Sequence, residues 1–219
     1  NLKPEYAYNG DLGVSLNFEN KLKLDFAGFY TILEDALIRR DFSLDGESQI
    51  VYQGELSTIQ AIQNASRARV YGFEAGLEFA FSKAVKLSSQ YNITKGFAQD
   101  QQGTKQALRH AAPAFGNTHI VYKKEKLTLD VFAVYNGQFD FEDLAPSQQN
   151  NAFLYAADQN GNPYAPKWYT LNFSGQYKFS KAFQLTATLE NITDHRYRPY
   201  SSGLSAPGRN LILAATYTF

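Results

Sequence analysis

Apolar and polar side chains alternate one for one through most of the chain. In the final stretch Leu211, Leu213, Ala215, Tyr217 and Phe219 fall on one parity, and Ile212, Ala214, Thr216 and Thr218 on the other. A period of two is the signature of a β-strand, whose successive side chains point to opposite faces. The pattern divides the chain into about nine segments of roughly 9 to 11 residues or more, the length that a tilted strand needs to cross a bilayer. The last segment stops on an aromatic of the apolar face. Chain ends usually fray in water, so something apolar must receive Phe219.

In order, Leu12, Val14, Leu16 and Phe18 share one face of the first segment, with Ser15 and Asn17 on the other. The second sets Leu22, Leu24, Phe26, Tyr30 and Ile32 against Lys23, Asp25 and Thr31, with Gly28 marking a place for the sheet to bend and an irregular outer end from Glu34 to Phe42. The third opposes Tyr71, Phe73, Leu77, Phe79 and Phe81 to Gly72, Glu74, Gly76 and Glu78, and two carboxylates on one face cannot meet lipid. Val85, Leu87, Tyr91 and Ile93 define the fourth, Ile120 and Tyr122 the less regular fifth from Phe115 to Lys123. The sixth shows Leu127, Leu129, Val131, Ala133 and Tyr135, and the seventh Tyr169, Leu171, Phe173, Tyr177 and Phe179. The eighth places Leu185, Ala187 and Leu189 opposite Gln184, Thr186, Thr188 and Glu190.

The connections alternate in length. Those after Phe18, Phe81, Lys123 and Phe179 are a few residues, and two of them repeat a Ser-Lys-Ala turn (Ser82 to Ala84, Ser180 to Ala182). Those over 41–69, 97–114, 137–167 and 194–208 are long. Short turns on one side and long loops on the other are the bacterial outer-membrane pattern, with turns in the periplasm and loops outside. Aromatics gather at both depths: Phe18, Phe79, Phe81, Tyr122, Phe179, Tyr217 and Phe219 on the turn side, and Tyr30, Tyr71, Tyr91, Tyr135 and Tyr169 toward the loops. Amphipathic rings form such bands at the two interfaces of a membrane.

Composition then narrows the picture. A mean hydropathy of −0.39 and 19% charged residues resemble a soluble protein, and no run approaches the ~18 apolar residues of a membrane helix. Barrel strands expose only alternate side chains to lipid, so they average out as polar. The 21 basic and 21 acidic residues balance and argue against nucleic acid as a partner. There is no cysteine and no methionine, and the missing initiator points to a piece of something longer. Three histidines, His110, His119 and His195, are too few and scattered for a zinc site, so no metal site and no cofactor is expected. Lumen-facing carboxylates such as Glu74, Glu78, Asp130 and Glu190 come with no nucleophile or base triad, so no enzyme is expected.

Several short motifs occur in a telling order. The chain opens Asn1-Leu2-Lys3-Pro4-Glu5; Asn64 precedes Val70-Tyr71-Gly72-Phe73-Glu74; and Glu190-Asn191-Ile192-Thr193-Asp194 with Tyr197 leads to Gly208-Arg209, an alternating strand and a terminal Phe219. Together these resemble the C-terminal part of the barrel of a TonB-dependent outer-membrane receptor, and the resemblance runs over residues 1–219. It implies an all-β fold, an antiparallel transmembrane β-barrel of which about nine C-terminal strands, strands 14 to 22 of a 22-stranded barrel, are present while the plug domain is absent. It implies active import of a scarce nutrient across the bacterial outer membrane, by default a ferric siderophore or other metal chelate, with haem, cobalamin and oligosaccharide behind it. The implied partners are TonB, reached through the missing plug region, a small-molecule ligand, lipopolysaccharide and the barrel-insertion machinery. That machinery would read Tyr217 and Phe219 as an assembly signal. A passive porin or other outer-membrane barrel and a soluble β-sandwich or lipocalin-like binding protein remain as alternatives, because strands alternate there too.

Ligand chemistry is expected in the loops. The stretch from Pro146 to Pro166 is rich in Gln, Asn, Ala and Tyr, which suits a neutral or bulky ligand; Arg39, Arg40, Arg67, Arg69, Arg109, Arg196 and Arg198 suit an anionic one, since guanidinium forks bind carboxylates bidentately. The same arginines could instead face lipopolysaccharide phosphates or neighbouring carboxylates. The ligand-binding candidates are Arg109, His110, Tyr155, Tyr164, Arg198 and Tyr200. Gly72 and Gly76 put two small residues on the inner face, where a plug could approach. The Asn-x-Ser/Thr triplets at Asn64, Asn92, Asn172 and Asn191 are ascribed to chance.

Overall fold

Each predicted segment forms a strand. In the computed structural model, which describes residues 2–19, 21–64, 67–99, 103–109 and 111–219, nine long strands follow one another: β1 (Tyr6–Phe18), β2 (Leu22–Glu34), β3 (Arg67–Ala80), β4 (Val85–Gln99), β5 (Phe115–Lys124), β6 (Leu127–Asn136), β7 (Trp168–Lys178), β8 (Phe183–Glu190) and β9 (Asn210–Tyr217). They join in chain order into one antiparallel sheet. The sheet does not close on itself, and β1 and β9 form its two edges.

The register turns the alternation of single strands into a property of the whole sheet. Each pair runs in one uninterrupted antiparallel register, for instance from Tyr6 opposite Glu34 to Phe18 opposite Leu22. Directly opposed residues share a face, so parity propagates from strand to strand. Leu12 lies beside Gly28, which lies beside Phe73, which lies beside Ile93; at the other end Val131 meets Phe173, Phe173 meets Leu189 and Leu189 meets Leu211. All expected apolar faces therefore coincide on one surface, left open with Leu12, Phe73, Val131, Leu211 and Leu213 exposed. The opposite face carries Asp25, Glu78, Gln90, His119, Asp130, Gln176, Thr186 and Thr188. There Lys23 bridges Asp25 at 2.8 Å and Glu78 at 3.9 Å, while the Nδ1 of His119 pairs with Asp130 at 2.9 Å under the stacked ring of Phe132.

The register places two of the glycines. Gly28 marks no bulge: its register with Leu12 and Phe73 continues unbroken. The neighbour of Gly72 on the inner face is Phe29 of β2, whose ring would lie 2.5 Å from any Cβ placed on Gly72. An aromatic laid over a glycine of the adjacent strand restores packing that glycine cannot supply.

Aromatic pairs mark both rims. Tyr30 stacks on Tyr71 at 6.0 Å and Tyr91 tilts against Tyr135 at 6.2 Å toward the loops. Phe79 with Phe81, Tyr177 with Phe179 and Tyr217 with Phe219 meet edge to face at 4.8, 4.9 and 5.2 Å on the turn side. The repeated Ser-Lys-Ala turns share one device: Ser82 Oγ accepts from the amides of Ala84 and Val85, and Ser180 Oγ from those of Ala182 and Phe183. A hydroxyl that satisfies turn amides in this way is a local, sequence-encoded signal.

The long connections carry structure of their own. Residues 37–64 form a ladder of hairpins, Leu37–Asp41 with Gln60–Asn64 and Gln49–Tyr52 with Glu55–Thr58, extending past the irregular end expected after Glu34. A short strand, Lys105–Ala107, continues along β4. The connection from β6 to β7 holds a one-turn helix, α1 (Pro146–Gln149), two 3-10 turns and the pair Ala156–Ala157 with Pro163–Tyr164.

Candidate ligand site at the loop end of the sheet

The loops are tied down by side chains far apart in the sequence, and the motifs noted above supply several of the ties. The Lys3 amide donates to Asn64 Oδ1 at 2.8 Å, and Asn64 Nδ2 donates to the carbonyls of Lys3 and Asp35 at 3.0 and 2.5 Å. The Leu37 amide donates to Glu5 at 2.8 Å. The opening motif and Asn64 are thus two halves of one clasp at the top of β2. A second clasp closes the loop between β8 and β9. Asn191, buried and at φ +48°, accepts from the His195 amide at 2.9 Å and donates to the carbonyls of His195 and Pro207 at 2.9 and 3.3 Å. Asp194 accepts from the Arg209 amide at 2.8 Å, and a Cβ on Gly208 would lie 2.6 Å from that carboxylate. The asparagines at 64, 172 and 191 each bond backbone here. Asn172 Oδ1 accepts from the Asn191 amide at 2.8 Å.

Two small apolar cores sit above the sheet. Ala36, Ala68 and Ala98 are buried with Leu33, Ile38 and Leu108 against them. The second joins Phe139, Leu144, Tyr155 and Ala165, flanked by Leu154 and Tyr200. At its centre Gln148 is 1% exposed. Its Nε2 donates to the hydroxyls of Tyr155 and Tyr200 at 2.7 and 2.8 Å, and its Oε1 accepts from the Ala145 amide at 3.1 Å. A buried amide with both ends satisfied fixes its neighbours, because any other arrangement strands a polar group.

Beside these cores lie two clefts. The first, of about 500 Å³, is walled by Arg39 and Arg40 of the 37–64 ladder, by Gln106 and Arg109 beyond β4, and by Pro146 and Asn150 around α1. Among the described residues its only carboxylate side chain, Asp41, accepts from Gln60 at 3.0 Å. The Nε of Arg40 is buried with no hydrogen-bonding partner among the described residues, an uncompensated donor beside the cleft. The second cleft, of about 420 Å³, is aromatic: Tyr155, Tyr164, Trp168, His195, Tyr197, Arg198 and Tyr200 line it. Trp168 lies 4.3 Å from Tyr197, and His195 stacks over Tyr169 at 5.9 Å.

Of the residues singled out from the sequence, Arg109 lines the first cleft, and Tyr155, Tyr164, Arg198 and Tyr200 line the second. His110 lies outside the described residues. Tyr155 and Tyr200 spend their hydroxyls on Gln148, and Arg198 donates to the carbonyls of Phe153 and Tyr155 at 3.1 and 3.5 Å. These three hold the wall together as well as forming it. Gln148, Trp168 and Tyr197 were not among the ligand-binding candidates. The sole tryptophan of the chain, next to a strand start, was the available signal. The turn under the second cleft is set by Asp158, whose Oδ1 accepts from the amides of Asn160 and Asn162, each at 2.8 Å. Those amides, that of Asn162 foremost, hold its carboxyl below the usual carboxylate value.

Residues 1–192 match the TonB dependent receptor-like, β-barrel family. The chain belongs to that family and is a β-barrel component of the bacterial outer membrane. Among curated relatives it is 24% identical to the heme/hemopexin utilization protein C of Haemophilus influenzae, over all of this chain and 30% of that protein. The chain therefore spans about a third of the length of such relatives. In fold it is similar to the copper transporter OprC (TM-score 0.77, 17% identity, 100% of this chain and 32% of that one) and to the FrpB iron transporter of Neisseria meningitidis (TM-score 0.71, 15% identity, 100% and 32%). Family membership does not favour the passive porin or the soluble β-sandwich.

Proposed function

We propose that the chain serves a TonB-dependent importer that takes up an anionic metal chelate, a ferric siderophore or haem, with the loop-end clefts receiving the ligand. The observation that carries this is the first cleft, where Arg39, Arg40 and Arg109 converge and the Arg40 Nε has no partner among the described residues. Chelates of this kind carry carboxylates or catecholates, and a guanidinium accepts no proton and gives up none, so the cleft stays cationic at any physiological pH. The aromatic second cleft adds flat surfaces for stacking. The proteins to which the chain is similar include one named for haem and hemopexin and others named for iron and copper transport, which supports a metal-bearing cargo. The role is transport and not catalysis.

The free edges of β1 and β9 support the same view of the barrel. Unpaired backbone groups in lipid cost several kcal/mol each, so further strands must cover both edges, and the sheet would supply nine strands of a barrel of 22. TonB would act through a plug seated against the polar face.

Uptake in a host lacking its own receptor tests the proposal. With the full-length protein, uptake of ferric siderophore or haem disappears when TonB is deleted while surface binding persists. Arg40→Ala together with Arg109→Ala weakens surface binding at least about tenfold, on the scale of one lost charge-assisted hydrogen bond. Uptake that continues without TonB identifies a passive channel, and unchanged binding by the double variant removes the first cleft from the ligand path.

A further inference from the structure

The structure sorts the loop arginines by partner, and one is left over. Arg67 pairs with Glu34 at 3.1 Å, Arg39, Arg40 and Arg109 face the first cleft, Arg196 lines the second, and Arg198 holds backbone carbonyls. Arg69 does none of these. In the register it stands beside Ile32 and Phe97, two positions beyond Tyr71 on β3, and it shares the outward face of Tyr30 and Tyr71. Its guanidinium lies 5.8 Å from the centre of the Phe97 ring, and the ammonium of Lys105 lies 5.1 Å from the same ring. Lys105 is opposite Gln99 and Ala107 opposite Phe97, which puts Lys105 on that outward face as well. Among the described residues neither cation has a carboxylate partner. Lys95, in the same outward row beside Tyr71, is already paired with Asp143 at 3.1 Å.

Two cations without a carboxylate partner among the described residues therefore converge on one aromatic ring, about 7 Å along the strand beyond the loop-side tyrosine band. Tyrosine rings of such a band sit at headgroup depth, so Arg69 and Lys105 face the layer just outside it. Their charge is complementary to phosphate, and guanidinium and ammonium both bind phosphate oxygens through charge-assisted hydrogen bonds. We propose that Arg69, Phe97 and Lys105 form a docking site for the phosphorylated headgroup of a glycolipid of the outer leaflet, the phosphorylated lipid A that anchors lipopolysaccharide. The ring face attracts both cations when no lipid is bound. The site is distinct from the first cleft, which opens on the other face, so its failure would leave the import proposal standing.

Lipid binding to the full-length protein in detergent, followed by native mass spectrometry, tests this. Bisphosphorylated lipid A binds the unaltered protein, and the Arg69→Ser, Lys105→Ser double variant binds it about ten- to thirtyfold more weakly, as expected for two cations at a charged lipid surface. Lys181→Ser, at the turn end, changes nothing. Lipid A stripped of its phosphates binds the unaltered protein as weakly as the intact lipid binds the double variant. If that variant fails to fold, the comparison of the two lipids on the unaltered protein and on Lys105→Ser alone decides the matter. Undiminished binding by the variants, equal binding of dephosphorylated lipid A, or displacement of the lipid by millimolar inorganic phosphate would each overturn the proposal.

Discussion

The sheet and the loop-end assembly are stabilised by opposite strategies. Every strand between the two edges, β1 and β9, pairs with the long strand before and after it in sequence, and the same two-residue alternation is repeated nine times, so stability is spread over many side chains. The loops depend on single bonds over long separations: Lys3 to Asn64 across 61 residues, Gln148 to Tyr200 across 52, Lys95 to Asp143 across 48. Damage to the sheet should therefore follow the face and depth of the substituted residue, whereas damage to the loops should be concentrated at a few buried polar hubs.

The largest effect should come from charging the apolar face. Val131→Arg or Leu213→Arg costs about 2 to 4 kcal/mol of folding stability in liposomes near the midplane, while Thr188→Arg, on the polar face and bonded only to Ser174, costs under about 1 kcal/mol. Urea titration of refolded full-length protein measures both, and a larger loss at Thr188 would reverse the assignment of faces. Next comes Gly72→Ala, whose new Cβ meets the Phe29 ring at 2.5 Å and the Ile93 backbone carbonyl at 2.6 Å. Overpacking of this kind costs about 1 to 3 kcal/mol, and the double variant Gly72→Ala, Phe29→Leu should regain only part of it, because the carbonyl of the adjacent strand stays in place; full recovery would make the ring the sole obstacle.

Gln148→Leu tests the other region. It removes the Gln148 bonds to the hydroxyls of Tyr155 and Tyr200 and to the Ala145 amide, a local loss of about 1 to 3 kcal/mol. Hydrogen exchange should speed up across residues 139–157 and 195–205 while exchange in β5 to β8 stays unchanged; acceleration spreading into the strands would show that the loops and the sheet unfold as one unit. The smallest effect concerns pH. Because the amides around Asp158 lower its folded pKa below the ordinary 3.8, their contribution to the turn is fully present above that ordinary value. It is lost as the pH falls below 3.8 and through the lowered folded value. Chemical shifts of the Asn160 and Asn162 amides, followed from pH 6 to pH 2, should move only in that acid range, and Asp158→Asn should remove the transition.

The terminal pair sharpens the comparison further. Tyr217 and Phe219 lie on the outward face at the turn side, with Phe219 wholly exposed. If insertion machinery reads these rings, Phe219→Ala should lower the amount of assembled barrel in cells far more than it lowers the stability of barrels refolded in detergent. Equal losses would leave Phe219 an ordinary interfacial aromatic.

The sequence by itself determined the strands, their faces, the short and long sides and both aromatic bands, because each is written in side chains one or two residues apart and adjacent strands in sequence are adjacent in space. The Ser-Lys-Ala turns were legible for the same reason. Tertiary structure alone decided what the loops do. It joined Glu5, Lys3 and Asn64 into a clasp, gave Gln148 two tyrosine hydroxyls, and separated seven similar arginines into cleft walls, an ion pair, a backbone brace and an outward-facing cation with no carboxylate partner among the described residues. None of these leaves a periodic mark, since a hydrogen bond between residues 50 or 60 positions apart constrains only the pair that makes it, and the partner is fixed by where the sheet carries each loop.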